Sequence, residues 1–127
     1  MGDPLFFEFN NEAPIYRQIA DQIEAGIFTG VFPPESQIPS TTEISRQFNI
    51  NPATVLKGMN QLVEKGLIEK KRGRGMFVTT TAQKQINQQR QDEFFDHYVA
   101  AFITEAQQLK LSKDDLIALI ERGYQND

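Results

Sequence analysis

The most chemically distinctive part of this sequence is a short run of cations interrupted by glycine. Residues 70–74 hold four Lys and Arg side chains, and Arg72 and Arg74 alternate with Gly73 and Gly75. Guanidinium groups bind phosphate oxygens, and glycine lets a backbone approach a polyanion closely. We predict that Arg72, Gly73 and Arg74 contact DNA phosphates or enter a narrow minor groove, where the potential is most negative.

A second group, rich in hydroxyl and amide side chains, precedes these cations. It consists of Ser40, Thr41 and Thr42, followed by Asn51, Ala53, Thr54 and Lys57. Hydroxyls and amides can hydrogen-bond to base edges or phosphates, lysine adds charge, and an alanine methyl can touch a thymine methyl. We predict that the first three residues bind backbone phosphates and that the last four face the major groove.

Each of these residues also has a purely structural explanation. Ser40 and Asn51 suit helix N-caps whether or not they touch DNA. Lys57 could be an ordinary exposed lysine, and the cations of residues 70–74 could form a solvated hairpin tip. The sequence alone leaves these alternatives open.

Sequence patterns typical of helices occur in and before these groups of residues, so helices would position their side chains. A first helix is indicated by isoleucines at four-residue intervals before Gly30, namely Ile15, Ile19, Ile23 and Ile27. Ser40 and Glu43 form a capping-box pattern that opens a second helix. Asn51 followed by Pro52 suits the start of a third helix, and Gly66 suits its end.

The third helix leads into a predicted hairpin. Its expected buried stripe is Val55, Met59, Leu62 and Val63. Two short strands, residues 67–70 and 76–78, flank the glycine-containing turn. Tightly joined helices followed by a hairpin predict a mainly α winged helix-turn-helix with a small β wing, and therefore a binder of duplex DNA.

The segment after residue 80 has a different composition. Its apolar residues recur at helical spacing over about 29 residues, and Ser112 with Asp115 predicts a cap for a last helix whose inner face holds Leu116, Ile117, Leu119 and Ile120. Two helices cannot close a core alone, so we predict a two-helix dimerisation tail. Its interface residues are predicted to be Phe94, Phe95, Tyr98, Val99, Phe102, Ile103, Leu116 and Ile120.

The distribution of charge supports a division of the chain into a DNA-binding domain, residues 1–80, and a helical dimerisation domain, residues 81–127. The whole chain has a net charge of -4, but residues 36–80 carry seven Lys and Arg against three Glu, whereas residues 81–127 carry five cations against eight anions. The predicted DNA-binding segment is therefore locally basic. An apolar run at residues 5–9 is predicted to be an edge strand or an arm.

The sequence lacks residues that several classes of function require. The chain has no cysteine and one histidine, His97, so we expect no enzyme, no metal and no cofactor. No apolar run approaches the ~20 residues of a membrane span, and we expect a cytoplasmic protein with no membrane partner. The phenylalanines near residue 98 are a predicted interface, with an aromatic ligand cage as the alternative.

These residues resemble the GntR family of bacterial transcription regulators. The DNA-binding segment of that family runs from Leu-Pro-Ser through a Thr-Val helix to a glycine-containing wing that ends in Phe-Val. Here the matching stretches are Ile38-Pro39-Ser40, Thr54-Val55 and residues 72–78. The residues at 14–19 and 50–55 are similar to the YtrA-like branch, in which a short two-helix tail replaces a large effector domain.

The resemblance implies a homodimeric, sequence-specific regulator, with a repressor at a palindromic operator as the leading hypothesis. An unknown small-molecule effector would lie between subunits. The family usually has an arginine where Thr42 stands, and often an asparagine where Ala53 stands, so target sequence or affinity can differ here. The alternative is a winged-helix protein-interaction module that does not bind DNA.

Overall fold

The computed structural model describes residues 7–126, and these residues form six α-helices and one β-hairpin. The helices are α1 (Ile15–Thr29), α2 (Thr41–Phe48), α3 (Pro52–Glu64), α4 (Ala82–Phe94), α5 (Ala100–Gln108) and α6 (Lys113–Gln125), and the strands are β1 (Ile68–Lys71) and β2 (Gly75–Val78). The chain divides into two compact units between Asn87 and Gln88. The fold class expected from the sequence, mainly α with a small hairpin wing, is confirmed.

The core of the first unit is built from apolar stripes on each of its helices. The repeat of isoleucines on α1 is confirmed as a buried face, with Ile19, Ile23 and Ile27 fully enclosed. The buried cluster comprises Ile19, Ala20, Ile23, Ile27, Phe32, Ile38, Ile44, Val55, Met59, Leu62, Leu67, Ile68, Val78, Ala82 and Ile86. Ala82 and Ile86 belong to α4, so the first turns of that helix pack on this core. The unit boundary therefore falls seven residues after the division predicted at residue 80.

The packing face of α3 differs from the predicted stripe at one position. Val55, Met59 and Leu62 are buried as predicted, but Val63 is 39% exposed and Gly58 is buried instead. Gly58 lies where α1 crosses α3, since a Cβ there would sit 2.6 Å from the backbone oxygen of Tyr16. The stripe is therefore shifted toward Gly58 because α1 approaches α3 from that side.

Replacing Gly58 with alanine is expected to destabilise the first unit by about 1–3 kcal/mol. The new methyl would overlap a backbone oxygen that cannot rotate away, and overpacking of this kind typically costs that much. Thermal and urea unfolding followed by circular dichroism measure the change. Gly123 is a matched control, because it is also helical but a Cβ there meets nothing within 4 Å. Gly123→Ala should be neutral or stabilising by up to ~1 kcal/mol; equal losses in both variants would contradict this account.

Helix α3 ends at Glu64 with Lys65 as its C-cap, one residue before the predicted Gly66, which follows with φ of +78°. The amide of Leu67 donates to Leu62 O at 3.0 Å and that of Gly66 donates to Val63 O at 2.9 Å. This pair of bonds is a Schellman motif, and its left-handed residue is normally glycine. The chain leaves the helix here and enters β1.

The wing has a third backbone neighbour that the hairpin pattern did not indicate. Strands β1 and β2 pair antiparallel from Ile68 opposite Val78 to Lys71 opposite Gly75. On the other side of β2, Ile38 N donates to Met76 O at 3.0 Å, and Val78 N donates to Ser36 O at 2.9 Å. The loop before α2 therefore extends the hairpin to a narrow three-stranded arrangement.

The described part of the N-terminal segment is held against α1 by two glutamines. Gln22 exchanges hydrogen bonds with the backbone of Glu8, at 2.8 and 3.1 Å, and Gln18 does the same with Asn10, at 2.9 and 3.0 Å. Four helical residues rise ~6 Å and two extended residues span nearly the same distance, so the spacings match. Residues 7–10 form no strand; Leu5 and Phe6, part of the predicted arm, lie outside the described residues.

The second unit contains the end of α4, a π-helical turn at Phe95–Val99, and the helices α5 and α6. The Ser112 and Asp115 capping box predicted for the last helix is confirmed. The predicted long helix is confirmed in extent, although the sequence did not indicate its π-helical turn. The expected inner face of α6 is largely exposed in the single chain, with Ile117 and Ile120 both above 40%.

Candidate nucleic-acid interface

The N-terminus of α2 combines a helix cap with free hydroxyl donors. Ser40 Oγ accepts the Glu43 amide at 3.0 Å, and the Glu43 carboxylate accepts the Ser40 amide at 2.8 Å. The predicted capping box is thus confirmed, yet accepting a bond leaves the hydroxyl hydrogen of Ser40 available to a phosphate. Thr42 is exposed and Thr41 is half-buried beside it. Capping and phosphate contact are compatible at this helix end.

The N-terminus of α3 is presented by a tight turn. Asn49 ends α2 with φ of 54°, a left-handed conformation that asparagine tolerates, and Asn51 starts α3 by accepting the Ala53 amide on Oδ1 at 2.8 Å. The cap uses the oxygen of Asn51, so its two amide hydrogens remain available. Ala53 is exposed and Thr54 is half-buried. These residues occupy the first turn of the helix, where a helix in the major groove contacts bases.

Lys57 lies one turn further along α3 and is exposed. Its Nζ atom lies 4.1 Å from the ring centroid of Tyr16 on α1. This cation–π contact, which sequence analysis did not foresee, limits the positions of the ammonium group. Leu56 is half-exposed and lines a surface groove with Ala53, Lys57 and Asn60, so it belongs to the outer face of α3 although the sequence analysis did not single it out.

The turn of the wing has the backbone that its glycines predict. Gly73 has φ of +76° and Gly75 has φ of +119°, and the amide of Arg74 donates to Lys71 O at 2.8 Å. The guanidinium carbon of Arg74 lies 5.2 Å from the ring centroid of Phe77. Arg72 and Gly73 are exposed at the tip, where a long cationic side chain can extend toward a partner.

Gln37 is a residue at the wing that sequence analysis missed. Its Nε2 atom donates to Arg74 O at 2.8 Å, and a Cβ on Gly75 would meet the same atom at 2.5 Å. Gln37 comes three residues before the N-cap of α2, so it connects the wing tip to the start of that helix. Its partner is 37 residues away in the sequence, and no local pattern signals such a pair.

All ten predicted DNA-contact residues lie in the first unit and none is buried. The eight predicted dimerisation residues lie in the second unit. Six of them are exposed, and Val99 and Leu116 are half-buried. The two predicted groups thus lie in separate units of the chain.

Two other kinds of site concern residues 7–126, namely metal sites and membrane spans. No group of three or more His, Asp or Glu side chains in that range is arranged to hold a metal ion. None of its helices has the length and apolar character needed to cross a bilayer.

A capped helix pair, a tight left-handed turn between its members and a glycine-containing hairpin define a winged helix-turn-helix protein. The sequence model of the bacterial regulatory proteins of the gntR family matches residues 15–78. The chain belongs to the GntR family.

The matching relatives differ in the share of this chain that they cover. The chain is 28% identical over 110 residues to the HTH-type transcriptional regulator YhcF of Bacillus subtilis, covering 87% of this chain and 89% of that protein. It is 35% identical over 72 residues to the repressor YtrA of the same organism, covering 57% of this chain and 55% of that protein. It is 38% identical to the repressor NagR, also of B. subtilis, over 57% of this chain and only 30% of that protein.

Solved structures extend the likeness over most of the chain. A GntR family regulator from Bacteroides thetaiotaomicron has a TM-score of 0.67 at 30% identity, covering 88% of this chain and 97% of that one. One from Listeria monocytogenes has a TM-score of 0.65 at 26% identity, covering 90% and 98%. The structure of AraR(DBD) in complex with operator ORR3 covers 62% of this chain and 93% of its own, with a TM-score of 0.51 at 33% identity.

Proposed function

We propose that this chain is a homodimeric, sequence-specific DNA-binding transcription regulator that represses from a palindromic operator. The observation that carries the proposal is the exposure, on one unit, of the α3 N-terminus together with the cationic wing tip. AraR(DBD), a similar fold, is solved on operator DNA. The relatives YtrA and NagR are named repressors, which favours repression over activation.

The proposed protein–DNA contacts follow the geometry of each element. Asn51, Ala53, Thr54 and Lys57 face the major groove. Ser40, Thr41 and Thr42 donate to backbone phosphates, which fixes the register of the helix on DNA. The wing residues Arg72, Gly73 and Arg74 follow the adjacent backbone or minor groove. With Thr42 in place of the family's usual arginine, sequence preference would rest mainly on the α3 residues, and the phosphate contacts would fix their register.

The second unit supplies the proposed dimer interface. Phe94, Phe95 and Tyr98 are each more than half exposed, and aromatic surface of this extent is costly in a soluble monomer. A two-fold copy would bury it, since a self-complementary patch meets itself about such an axis. We assign residues 1–80 to DNA binding and residues 81–127 to dimerisation, with the first turns of α4 anchored in the core of the first unit.

Two further features belong to the same proposal. A small-molecule effector, if the protein has one, would lie between subunits, because the paired tails would bring two aromatic surfaces together. The protein would act in the cytoplasm, where a bacterial operator is accessible.

Selection of bound sequences from random duplex DNA tests the proposal. We expect enrichment of a palindrome with half-sites about one helical turn apart, ~34–36 Å, because two α3 helices related by a two-fold axis would face successive grooves. An unpaired single site would contradict the dimer. No enrichment above the starting pool would instead support the alternative function, a protein-interaction module.

A further inference from the structure

We propose that Gln37 is a positioning residue for the wing, which holds the arginine-bearing turn in place for DNA without itself contacting DNA. This inference rests on the proposed function, because the wing matters only if it meets DNA. The side chain contacts the turn at two points. Gln37 Nε2 donates to Arg74 O at 2.8 Å, and the carboxamide lies in the space that a Gly75 side chain would occupy.

The hydrogen bond from Gln37 Nε2 to Arg74 O lies where it affects the conformation of the wing turn more than an average surface hydrogen bond would. The backbone pairs Glu35, Ser36 and Ile38 with Val78 and Met76 of β2, so the third segment supports the base of the wing. Phe77 bridges to Gln37, and the bond from Ile38 N to Met76 O is the last backbone contact on that side before the turn. The Gln37 side chain continues the support one step further, to the turn itself.

Without this bond, the tip would be an ordinary two-stranded hairpin end. Such hairpins are marginally stable in water by themselves. The remaining bond across the turn joins Arg74 N to Lys71 O, and it does not connect the tip to the rest of the unit. Gln37 makes that connection, close to the Ser40 cap of α2, so the wing and the α2 N-terminus have a fixed relationship before DNA arrives.

Gly75 also contributes to the contact between Gln37 and the wing turn. Its φ of +119° is a conformation that side-chain-bearing residues rarely adopt, and a Cβ there would meet Gln37 Nε2 at 2.5 Å and displace the carboxamide. The carboxamide can therefore lie directly against the turn. The Gln37 side chain is long enough to reach Arg74 O, and the backbone segment that carries Gln37 is already hydrogen-bonded to β2.

Gln37→Met tests the idea, because methionine keeps the length of the side chain and removes the donor. Gln85→Met is the matched control, since Gln85 Nε2 also donates to a backbone carbonyl, Lys65 O, at 2.6 Å. The first measurement needs no DNA: 15N relaxation of the Gly73, Arg74 and Gly75 amides. We expect their order parameters to fall toward ~0.6 in Gln37→Met and to stay near the rigid value of ~0.85 in the control. Unchanged order in Gln37→Met overturns the proposal, whether or not the protein binds DNA.

The second measurement is duplex affinity by fluorescence anisotropy, on the operator selected above. Gln37→Met should weaken binding about 3- to 10-fold, the range expected for one net hydrogen bond, while Gln85→Met stays within twofold. In a background with both Arg72→Ala and Arg74→Ala the effect of Gln37→Met should largely vanish, because a wing without its arginines gains little from being ordered. Full additivity would mean that Gln37 binds DNA directly and would overturn the positioning role. Absence of binding by the unmodified chain would contradict the proposed function and leave the relaxation result to decide on Gln37.

Discussion

Removing both wing arginines, with Arg72→Ala and Arg74→Ala, should weaken duplex binding about 100-fold at moderate salt, at ~1.5 kcal/mol for each charge-assisted hydrogen bond lost. The logarithm of affinity should still fall linearly with the logarithm of salt concentration, but less steeply. Each phosphate that a cation neutralises contributes ~-0.9 to the slope, so the loss of two contacts should flatten it by ~1.8. Anisotropy titrations at several salt concentrations measure both quantities.

A matched control separates the wing from general charge. Arg122→Ala removes a cation from α6, in the other unit, and should leave the slope unchanged. A similar loss in this control would mean that net charge, rather than the wing, governs binding. An unaltered slope in the double variant would show that the arginines only face solvent, which is the structural alternative for this hairpin.

The two arginines are expected to contribute unequally. Arg74 already lies against the Phe77 ring, at 5.2 Å, and must leave or share that contact to reach a phosphate. Cation–π contacts at exposed sites are worth ~0.5–1 kcal/mol, so part of its gain on DNA is offset. The single variant Arg72→Ala should therefore show the larger loss.

Placing two glutamates in the apolar stripe of the second unit, with Phe95→Glu and Phe102→Glu, should convert dimers to monomers. Phe95 is 55% exposed and Phe102 41% in the single chain, so neither is needed for the fold of the subunit. In a dimer both would be buried, and an unpaired buried carboxylate is strongly unfavourable. Light scattering across a concentration series measures the mass. Affinity for a two-half-site operator should fall by about 10²–10⁴, because the second half-site would lose its effective concentration.

The control carries the same charge change elsewhere in the unit. Gln108→Glu with Gln125→Glu adds two anions at exposed positions of α5 and α6 outside the predicted interface, and it should remain dimeric with near-normal affinity. Dimers that persist in the Phe95 and Phe102 variant would refute the assignment of the interface. Monomers in both variants would point to charge repulsion rather than to the aromatic stripe.

Features that are encoded within a few neighbouring residues were predictable from the sequence. The two capping boxes at Ser40 and Ser112, the Asn51 cap and the Gly66 terminus each depend on residues at most five positions apart. The same holds for the isoleucine face of α1. Local hydrogen bonds and helical periodicity decide these features, and both are visible in the order of the side chains.

Features that depend on how elements meet were not predictable in the same way. Val63 belongs to the apolar pattern of α3 but is exposed, because the side from which α1 approaches is set by packing. The π-helical turn at Phe95–Val99 has no marker in the sequence. The contact between Lys57 on α3 and the Tyr16 ring on α1 likewise depends on how two separate elements are placed.

The winged helix-turn-helix class, the family and the candidate residues for DNA contact could be predicted, because they follow from caps, periodicity and short motifs. The support of the wing depends instead on contacts between distant segments. Gln37 and Arg74 lie 37 positions apart, and their hydrogen bond forms only after the loop before α2 has paired with β2. A contact between distant residues depends on the packing of the whole unit, which no local pattern of side chains specifies.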